Sequence, residues 1–129
     1  MPRAKQLTVS VPDRPGMLGA VGSALGAKKA NIRAFTAWIE GDRGRIRLVV
    51  DKTAAAKKLL AANGWEAIEE EVLAVTLADN PGSLGRTAKK LGDAGVNIEY
   101  AYAGTAGSAR RVTVYLGVSD IKAAPKAAR

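Results

Sequence analysis

The sequence predicts an α+β fold in which two copies of one βαββαβ unit, each with an antiparallel sheet, follow each other along the chain. The main observation is an internal repeat: residues 11–37 align without a gap on residues 77–103, and ten of the 27 pairs are identical. In and around both segments, stretches in which apolar residues recur every second position, as in a strand, alternate with stretches in which they recur at helical spacing. The constant offset of 66 residues indicates duplication of one structural unit.

The first half of the first copy is predicted to be a strand, a turn and a helix. Residues 7–11 alternate between apolar and polar side chains, as a half-buried strand does. The helix is expected to have Asp13 as its N-cap and Pro15 in its first turn, where a missing N–H costs nothing. The side chains at helical spacing, which are expected to face the core, are Leu18, Val21 and Leu25. Gly19 and Gly22 lower helix propensity, so we expect them to permit close packing.

The second half of the first copy completes the unit. The expected elements are a strand at 32–39, a turn at 41–44, a strand at 45–51, a helix at 53–63 and a strand at 65–71. Thr53 is expected to cap the helix and Gly64 to stop it. On the third strand, one face is expected to carry Ile46, Leu48 and Val50. This order is that of a split βαβ, or ferredoxin-like, unit with its helices on one face of the sheet.

The second copy follows the same route and then stops short. The fourth strand of the first copy runs directly into a strand at 72–77, which is followed by a helix at 81–94 and strands at 97–104 and 110–117. Pro125 interrupts the last helix, and no segment matches a fourth strand. We therefore assign residues 1–71 to the first repeat and 72–129 to the second, which lacks its last strand. The open edge is expected to be covered by the neighbouring repeat or by a second copy of the chain, as in a homodimer.

The residue composition excludes most catalytic chemistry. The chain has no Cys and no His, so it has no thiolate nucleophile, no imidazole base and no nitrogen or sulfur ligand for a metal. Its 12 acidic residues show no paired arrangement suited to acid–base work. We therefore expect a protein that is not an enzyme, with no catalytic residues, no metal site and no cofactor.

Hydropathy and cysteine content indicate the compartment. No stretch approaches the ~20 apolar residues of a membrane span, and the first ten residues become polar too soon for a signal peptide. A chain without cysteine forms no disulfides, which is typical of intracellular proteins. A cytoplasmic protein with no membrane partner is expected.

The net charge of +8 is spread over the whole chain. Residues 1–71 hold 12 basic and 8 acidic residues, and residues 72–129 hold 8 and 4, so each part carries +4. The longest basic runs are pairs, which favours solvated surfaces over a nucleic-acid site. The nucleic-acid alternative depends on a basic sheet face formed by Arg33, Arg45 and Arg47, and its affinity would fall steeply with salt.

Both copies carry one motif: Asp-x-Pro-Gly-x-Leu-Gly follows the first strand, and Asn-Ile opens the second. In both copies 15 residues separate glycine from asparagine, Gly16 from Asn31 and Gly82 from Asn97. Together with the βαββαβ order, these motifs resemble the ACT domain, and the chain resembles a stand-alone tandem ACT protein. The resemblance implies a regulatory protein that binds a small ligand, probably an amino acid as in many members, and that acts on a metabolic enzyme or another regulator.

The resemblance also implies where the ligand lies. In the first repeat the contacts would be Asp13, Arg14, Pro15, Gly16, Met17 and Leu18, with Asn31 and Ile32 at the strand. In the second repeat they would be Asp79, Asn80, Pro81, Gly82, Ser83 and Leu84, with Asn97 and Ile98. Some serine-binding members carry a histidine and an asparagine just before Pro-Gly. Here those positions hold Val11 with Asp13 and Leu77 with Asp79, so serine is not implied.

The residue types in these loops suit an amino acid on physical grounds. A helix N-terminus offers unpaired N–H groups and partial positive charge to a carboxylate, and asparagine can both donate and accept hydrogen bonds. Asn31 starts the strand beyond the far end of a helix of ~20 Å, too far from the Gly16 loop of its own repeat. We therefore predict two hybrid sites at the interface of the repeats, 13–18 with Asn97 and 79–84 with Asn31.

Other interpretations stay open. The two loops are also what a simple turn and helix cap require. A regulatory subunit that acts by protein contact without a ligand would be favoured by exposed apolar residues near Phe35, Val49 and Tyr115. Between the two loops, the hydroxyl of Ser83 favours the second as the ligand-competent one. A bulky residue in place of Gly82 is expected to abolish binding there and to leave the fold intact.

Overall fold

The structure, a computed structural model, describes residues 3–107 and 109–129. In chain order its elements are β1 (Arg3–Pro12), α1 (Met17–Ala27), β2 (Ile32–Glu40), β3 (Arg43–Val50), α2 (Thr53–Ala62), β4 (Glu66–Ala78), α3 (Ser83–Asp93), β5 (Ile98–Gly104), β6 (Arg111–Val118) and α4 (Ala124–Ala127). They form two compact units. The first is Lys5–Glu70, and the second is Glu71–Arg129 together with Arg3 and Ala4 from the start of the chain. The α+β class and the antiparallel sheets are therefore confirmed.

In the first unit, β3 lies between β1 and β2, and both pairings are antiparallel. Leu48 on β3 is opposite Leu7 on one side and Phe35 on the other. Because side chains alternate along a strand, one face of β1 and β3 supplies the apolar side chains Leu7, Val9, Val11, Ile46, Leu48 and Val50. The helices cover this face with Val21, Leu25, Ala56 and Leu60. The predicted inner row of the third strand is confirmed.

The second unit repeats this arrangement. Strand β6 lies between β4 and β5, again with antiparallel pairing. Its core contains Leu73, Leu91, Val96, Val114, Leu116 and Ala124. Register shifts between Ile32 and Ala34 in the first unit and between Ile98 and Tyr100 in the second lie at positions matched by the repeat. The duplicated sequence therefore forms duplicated structure down to its irregularities.

The second repeat ends without a fourth strand among the described residues. After β6 the chain to Arg129 forms one short helix, α4, with Pro125 in its first turn. Ala124 on α4 is fully buried in the core, and Lys90 Nζ donates to the Arg129 carbonyl oxygen at 2.7 Å. The predicted absence of the last strand is confirmed for this part of the chain, and α4 packs on the core of the unit.

Both motif helices begin later than the sequence pattern predicts. Their N-caps are Gly16 and Gly82, whose φ angles of 90° and 87° are left-handed. A residue in this conformation cannot belong to a right-handed helix, so each helix starts only after its glycine. The prediction of Asp13 as N-cap is wrong, and Pro15 lies in the turn before α1.

The same backbone conformation argues against the expectation that a bulky residue at Gly82 leaves the fold intact. A Cβ added there would lie 2.7 Å from Arg86 Nη1, and the φ of 87° would strain any L side chain. A bulky residue at Gly82 is therefore expected to disturb the fold as well as the loop. Tests of the loops need other positions.

Fewer residues of α1 are buried against the core than the sequence pattern predicts. Val21 and Leu25 are fully buried, but Leu18 is 44% exposed. Gly19 and Gly22 do not permit close packing, because a Cβ added at either would meet no heavy atom within 4 Å. Both expectations are wrong: Leu18 and Gly22 border a cavity of about 240 Å³ beside Val21 and Leu48.

The open surroundings of Gly22 lead to a stability prediction. Gly22→Ala is expected to raise the free energy of unfolding by up to about 1 kcal/mol, because alanine loses less backbone entropy in a helix and meets no neighbour. Urea denaturation measures it. As a control, Gly41→Ala, at a φ of 62°, is expected to lower stability. A loss of stability in Gly22→Ala would show that α1 needs a bare backbone at this position.

Three smaller predictions about the first and second units are also corrected. Lys52, not Thr53, is the N-cap of α2, and no side chain caps it, although Gly64, with φ 79°, follows the helix end as expected. Gly44 lies inside β3 and not in the turn before it. Val49 and Tyr115 are only 5% exposed, so Phe35, at 52%, is the exposed apolar residue of the three.

Candidate ligand-binding site

A cavity of about 360 Å³ lies at the N-terminal end of α1, entirely within the first unit. Of the loop residues predicted to bind ligand, those that line it are Asp13, Arg14, Gly16, Met17 and Leu18. The opposite wall comes from the end of β2 and the start of β3 and includes Ala37, Ile39, Gly44 and Ile46. The structure thus brings most of the first predicted loop to one concave surface.

Gly44 explains why the sheet is hollow below this loop. It is paired with Val11 on β1 and with Ile39 on β2, so it lies between two apolar side chains of the same row. A Cβ on Gly44 would lie 3.0 Å from Val11 Cγ2 and would project into this row. The missing side chain therefore leaves part of the cavity volume open.

The polar groups of the cavity come mainly from the loop and the helix start, and Trp38 and Arg45 on the strands also line it. Asp13 and Arg14 are exposed, and no salt bridge involves either side chain among the described residues. The first turn of α1 has no side-chain cap and no acidic residue, and the Ala20 N–H donates to the Gly16 carbonyl oxygen at 2.9 Å. The earlier N–H groups of the helix are left for other acceptors. The partial positive charge of the helix start, Asp13, Arg14 and, on the strand side, Arg45 thus border an apolar wall.

The second loop has the same backbone but a different interior. Ser83 is buried, and its hydroxyl donates to Asn80 Oδ1 at 2.5 Å. Arg86 Nη2 lies 3.4 Å from Ser83 Oγ, close over Gly82. Of the other loop residues predicted to bind ligand, Asp79 and Pro81 are exposed and Leu84 is 54% exposed. The hydroxyl of Ser83 is therefore already engaged within its own loop.

The strand below the second loop also differs. Leu77 is paired with Val112, where the first unit pairs Val11 with Gly44. Val112 packs against the core of the second unit. The second loop therefore has a valine side chain at the position that is empty in the first unit. This arrangement favours the first loop as the ligand site, which is the opposite of the preference from the sequence.

Asn31 and Asn97 have matching backbone roles. The Asn31 N–H donates to Asp51 Oδ1 at 2.9 Å, and the Asn97 N–H donates to Ser119 Oγ at 2.9 Å. Each asparagine carbonyl oxygen accepts the N–H of the same partner residue. Both asparagines are exposed, so their amides remain open to a ligand. Asn31 does not line the cavity of its own unit, since α1, about 16 Å long, separates it from the loop.

Ile32 and Ile98, which follow the asparagines, have a different role. Both are partly buried and pack against the cores of their own units. Pro15 is exposed and is not part of the cavity lining. The structure therefore does not place Pro15, Ile32 or Ile98 in the cavity lining.

The arginines of the proposed basic sheet face are engaged by neighbouring side chains. Arg45 Nη2 lies 3.8 Å from Glu40 Oε2. The guanidinium carbon of Arg47 lies 4.3 Å from the ring centroid of Trp38, in cation–π geometry. Arg33 is exposed. Two of the three arginines are therefore partly engaged within the first unit, Arg45 by Glu40 and Arg47 by Trp38.

None of the helices in residues 3–107 and 109–129 has the length and apolar character needed to cross a bilayer. Over the same residues, no group of three or more histidine, cysteine, aspartate or glutamate side chains is placed to hold a metal ion.

The fold has known relatives among solved structures. A protein from Bacteroides thetaiotaomicron is 25% identical, with a TM-score of 0.88, and the match covers 98% of this chain and 86% of that one. The ligand-free regulatory subunit of aspartate kinase from Thermus thermophilus is 22% identical, with a TM-score of 0.69 and coverage of 97% and 88%. The corresponding subunit from Thermus flavus is 21% identical, with a TM-score of 0.64 and coverage of 100% and 94%. No curated protein matches the sequence.

The sequence also matches a family. Residues 5–61 match the family model described as the ACT domain. This range contains the first motif loop, the cavity beneath it and the asparagine that opens β2. Residues 5–61 of this chain are therefore similar to the ACT domain.

Proposed function

We propose that this protein is a non-enzymatic regulator that binds a free amino acid in the cavity under residues 13–18. The observation that carries the proposal is the cavity itself, about 360 Å³, which joins a charged loop to an apolar wall at a helix N-terminus. Its size is at the small end of the range of about 300–1,000 Å³ for ligand pockets. An amino acid has the matching combination of a carboxylate, an ammonium group and a compact side chain.

The proposed orientation follows from the charges. The carboxylate accepts hydrogen bonds from the first N–H groups of α1 and lies near Arg14, because both carry positive charge. The ammonium group lies towards Asp13. The side chain packs against Met17, Ile39 and Ile46, so the ligand class is an amino acid with an apolar side chain.

The regulatory part of the proposal has two supports. The matched family is a regulatory domain, and no family match indicates catalysis. Two Thermus proteins described as regulatory subunits of aspartate kinase share the fold. The identity of the regulated target is left to experiment, since these similarities are at the level of fold.

A thermal-shift screen tests the proposal. Each of the twenty amino acids is added at millimolar concentration, and apolar amino acids are expected to raise the unfolding midpoint most. A ligand at about 100 times its Kd adds about 2.7 kcal/mol, which is several degrees for a chain of this size. No shift with any amino acid would contradict the proposal.

The charge on Arg14 provides a sharper prediction. Arg14→Gln is expected to weaken amino-acid binding by about tenfold, the effect of losing one hydrogen bond to a charged group. Isothermal titration calorimetry measures the Kd. Arg33→Gln is the matched control, because Arg33 is also exposed but does not line the cavity. Equal weakening in both variants would mean that net charge and not the loop controls affinity.

The contribution of the asparagines stays a prediction. Asn97→Ala and Asn31→Ala test the two hybrid sites expected from the sequence. If Asn97 completes the site of the first loop, only the Asn97 variant weakens binding there. Unchanged affinity in both variants would mean that the first loop binds its ligand without either asparagine.

A further inference from the structure

We propose that a second groove in the first unit, between the C-terminal end of α1 and the side of α2 that faces it, binds an acidic segment of a partner protein. This groove has a volume of about 360 Å³. It uses none of the residues that line the cavity under the motif loop. The proposal therefore does not depend on amino-acid binding.

The floor of the groove is apolar and is formed mainly by small side chains. Ala30 is 8% exposed, Ala56 is 1% exposed, and Leu59 is half-buried between them. Alanine side chains are too short to fill the space between the two helices, so they leave a hollow. A large apolar side chain from a partner would bury this surface and gain about 25 cal/mol for each Å² removed from water.

The rim of the groove is positively charged. It carries Lys28 at the end of α1, Lys52 at the start of α2 and Lys58 in its middle. No aspartate or glutamate lines the groove. Among the described residues, no salt bridge involves any of these three lysines. The three ammonium groups are therefore not held in ion pairs within this part of the chain.

The N-terminal end of α2 adds to the positive electrostatic potential at the rim of the groove. Its first turn contains no acidic residue, and its N-cap, Lys52, makes no side-chain capping hydrogen bond. A helix start of this kind carries partial positive charge that adjacent lysines reinforce. Carboxylates placed along this rim would be attracted from solution and would then fix the register of the bound segment.

The combination of rim and floor indicates the kind of partner. A nucleic acid would use lysines for its phosphates but would leave an alanine and leucine floor unused. An amphipathic helix or turn with one large apolar residue flanked by glutamate or aspartate uses both, as in helix-in-groove recognition. The groove thus fits an acidic protein segment with an apolar anchor.

The experiment uses the full chain and a displayed library of random 16-residue peptides. Enriched peptides are expected to contain several acidic residues around a leucine, methionine or aromatic residue. Binding is measured by fluorescence anisotropy of a labelled, enriched peptide at two salt concentrations. The affinity is expected to decrease with salt, because exposed ion pairs are screened.

Three variants locate the binding surface. The double variant Lys52→Glu/Lys58→Glu is expected to weaken binding by at least about tenfold. Ala55→Trp, which fills the groove without a change in charge, is expected to weaken it by a similar factor. Lys57→Glu is the matched control, since Lys57 is on the same helix but outside the groove, and its effect is expected to stay within about twofold.

Several results would overturn the proposal. One is enrichment of peptides without acidic residues, or of no peptide at all. Another is an equal loss of affinity in Lys57→Glu, or unchanged affinity in Ala55→Trp. A third is binding of single-stranded DNA or phosphatidylserine vesicles that depends on Lys52 and Lys58 while no peptide binds. Circular dichroism and thermal unfolding of each variant distinguish a lost site from a lost fold.

Discussion

Ala37→Trp is expected to weaken amino-acid binding to this protein by at least about 100-fold, or below detection. Ala37 is exposed on β2 and lines the cavity opposite the motif loop. An indole ring at this position would occupy the space that we assign to the ligand side chain. A loss of about 2.7 kcal/mol or more of binding free energy corresponds to this factor. Isothermal titration calorimetry with the best ligand from the thermal-shift screen measures it.

The repeat itself supplies the matched control. Ala103 is the counterpart of Ala37 in the second unit, is also exposed and lies on β5. Ala103→Trp therefore makes the same chemical change at the equivalent position and is expected to leave the Kd unchanged. The reverse outcome, with binding lost in Ala103→Trp and kept in Ala37→Trp, would transfer the site to the second loop.

Gly117→Val is expected to cause a large loss of stability in the second unit. Gly117 is buried on β6, directly opposite Tyr100 on β5. A Cβ at this position would overlap the ring of Tyr100. Overpacking of this kind costs about 1–3 kcal/mol and sometimes more. Because the added Cβ would meet three atoms of the ring at once, we expect a decrease of about 3 kcal/mol in the free energy of unfolding.

The ring of Tyr100 has little freedom to move away. It is stacked on Tyr102 at a centroid distance of 6.5 Å with an interplanar angle of 6°, and Tyr102 is stacked on Tyr115 at 5.5 Å. Urea denaturation of Gly117→Val, Tyr100→Ala and the double variant forms a mutant cycle. The double variant is expected to be more stable than the sum of the two single changes indicates. Strict additivity would show that the glycine is not required by the ring.

Much of the fold could be predicted because its main signals are local and duplicated. The period of the apolar residues in 7–11 and 45–51 identified the strands and their inner faces, since burial imposes that period directly. The missing last strand followed from counting elements in the second copy. Helix starts were less predictable, because a Pro-Gly pair suits both a helix entry and a turn. The positive φ of Gly16 and Gly82, which decides between them, is a property of the folded backbone.

The candidate site was only partly visible in the sequence. The motif identified residues 13–18, and the structure places five of these six residues around one cavity. The sequence pattern predicts that Gly44 lies in a turn. That it lies opposite Val11 on β1 depends on strand register, which local sequence patterns do not reveal. In the folded protein, Val11 in the first unit is opposite Gly44, whereas Leu77 in the second unit is opposite Val112. This difference in the residue below each loop distinguishes the two loops.

The lysines of the second groove were missed for a related reason. Lys28 and Lys52 are separated by 24 positions in the chain and belong to scattered basic pairs or singles. They share one surface only because the end of α1 lies beside the start of α2. Charge patterning along a sequence detects runs and helical faces, and it cannot detect a cluster that the packing of two helices creates.

The most direct measurement is an NMR titration of the labelled full chain with L-leucine, L-methionine or L-phenylalanine. Amide resonances report the site without a substitution that could disturb the fold. We expect saturable shifts at Gly16, Met17 and Leu18 and at the adjoining ends of β2 and β3, with smaller changes at Gly82 and Ser83. Saturable shifts confined to the second loop, or no shifts with any of the three amino acids, would contradict the assignment of the cavity under residues 13–18 as an amino-acid site.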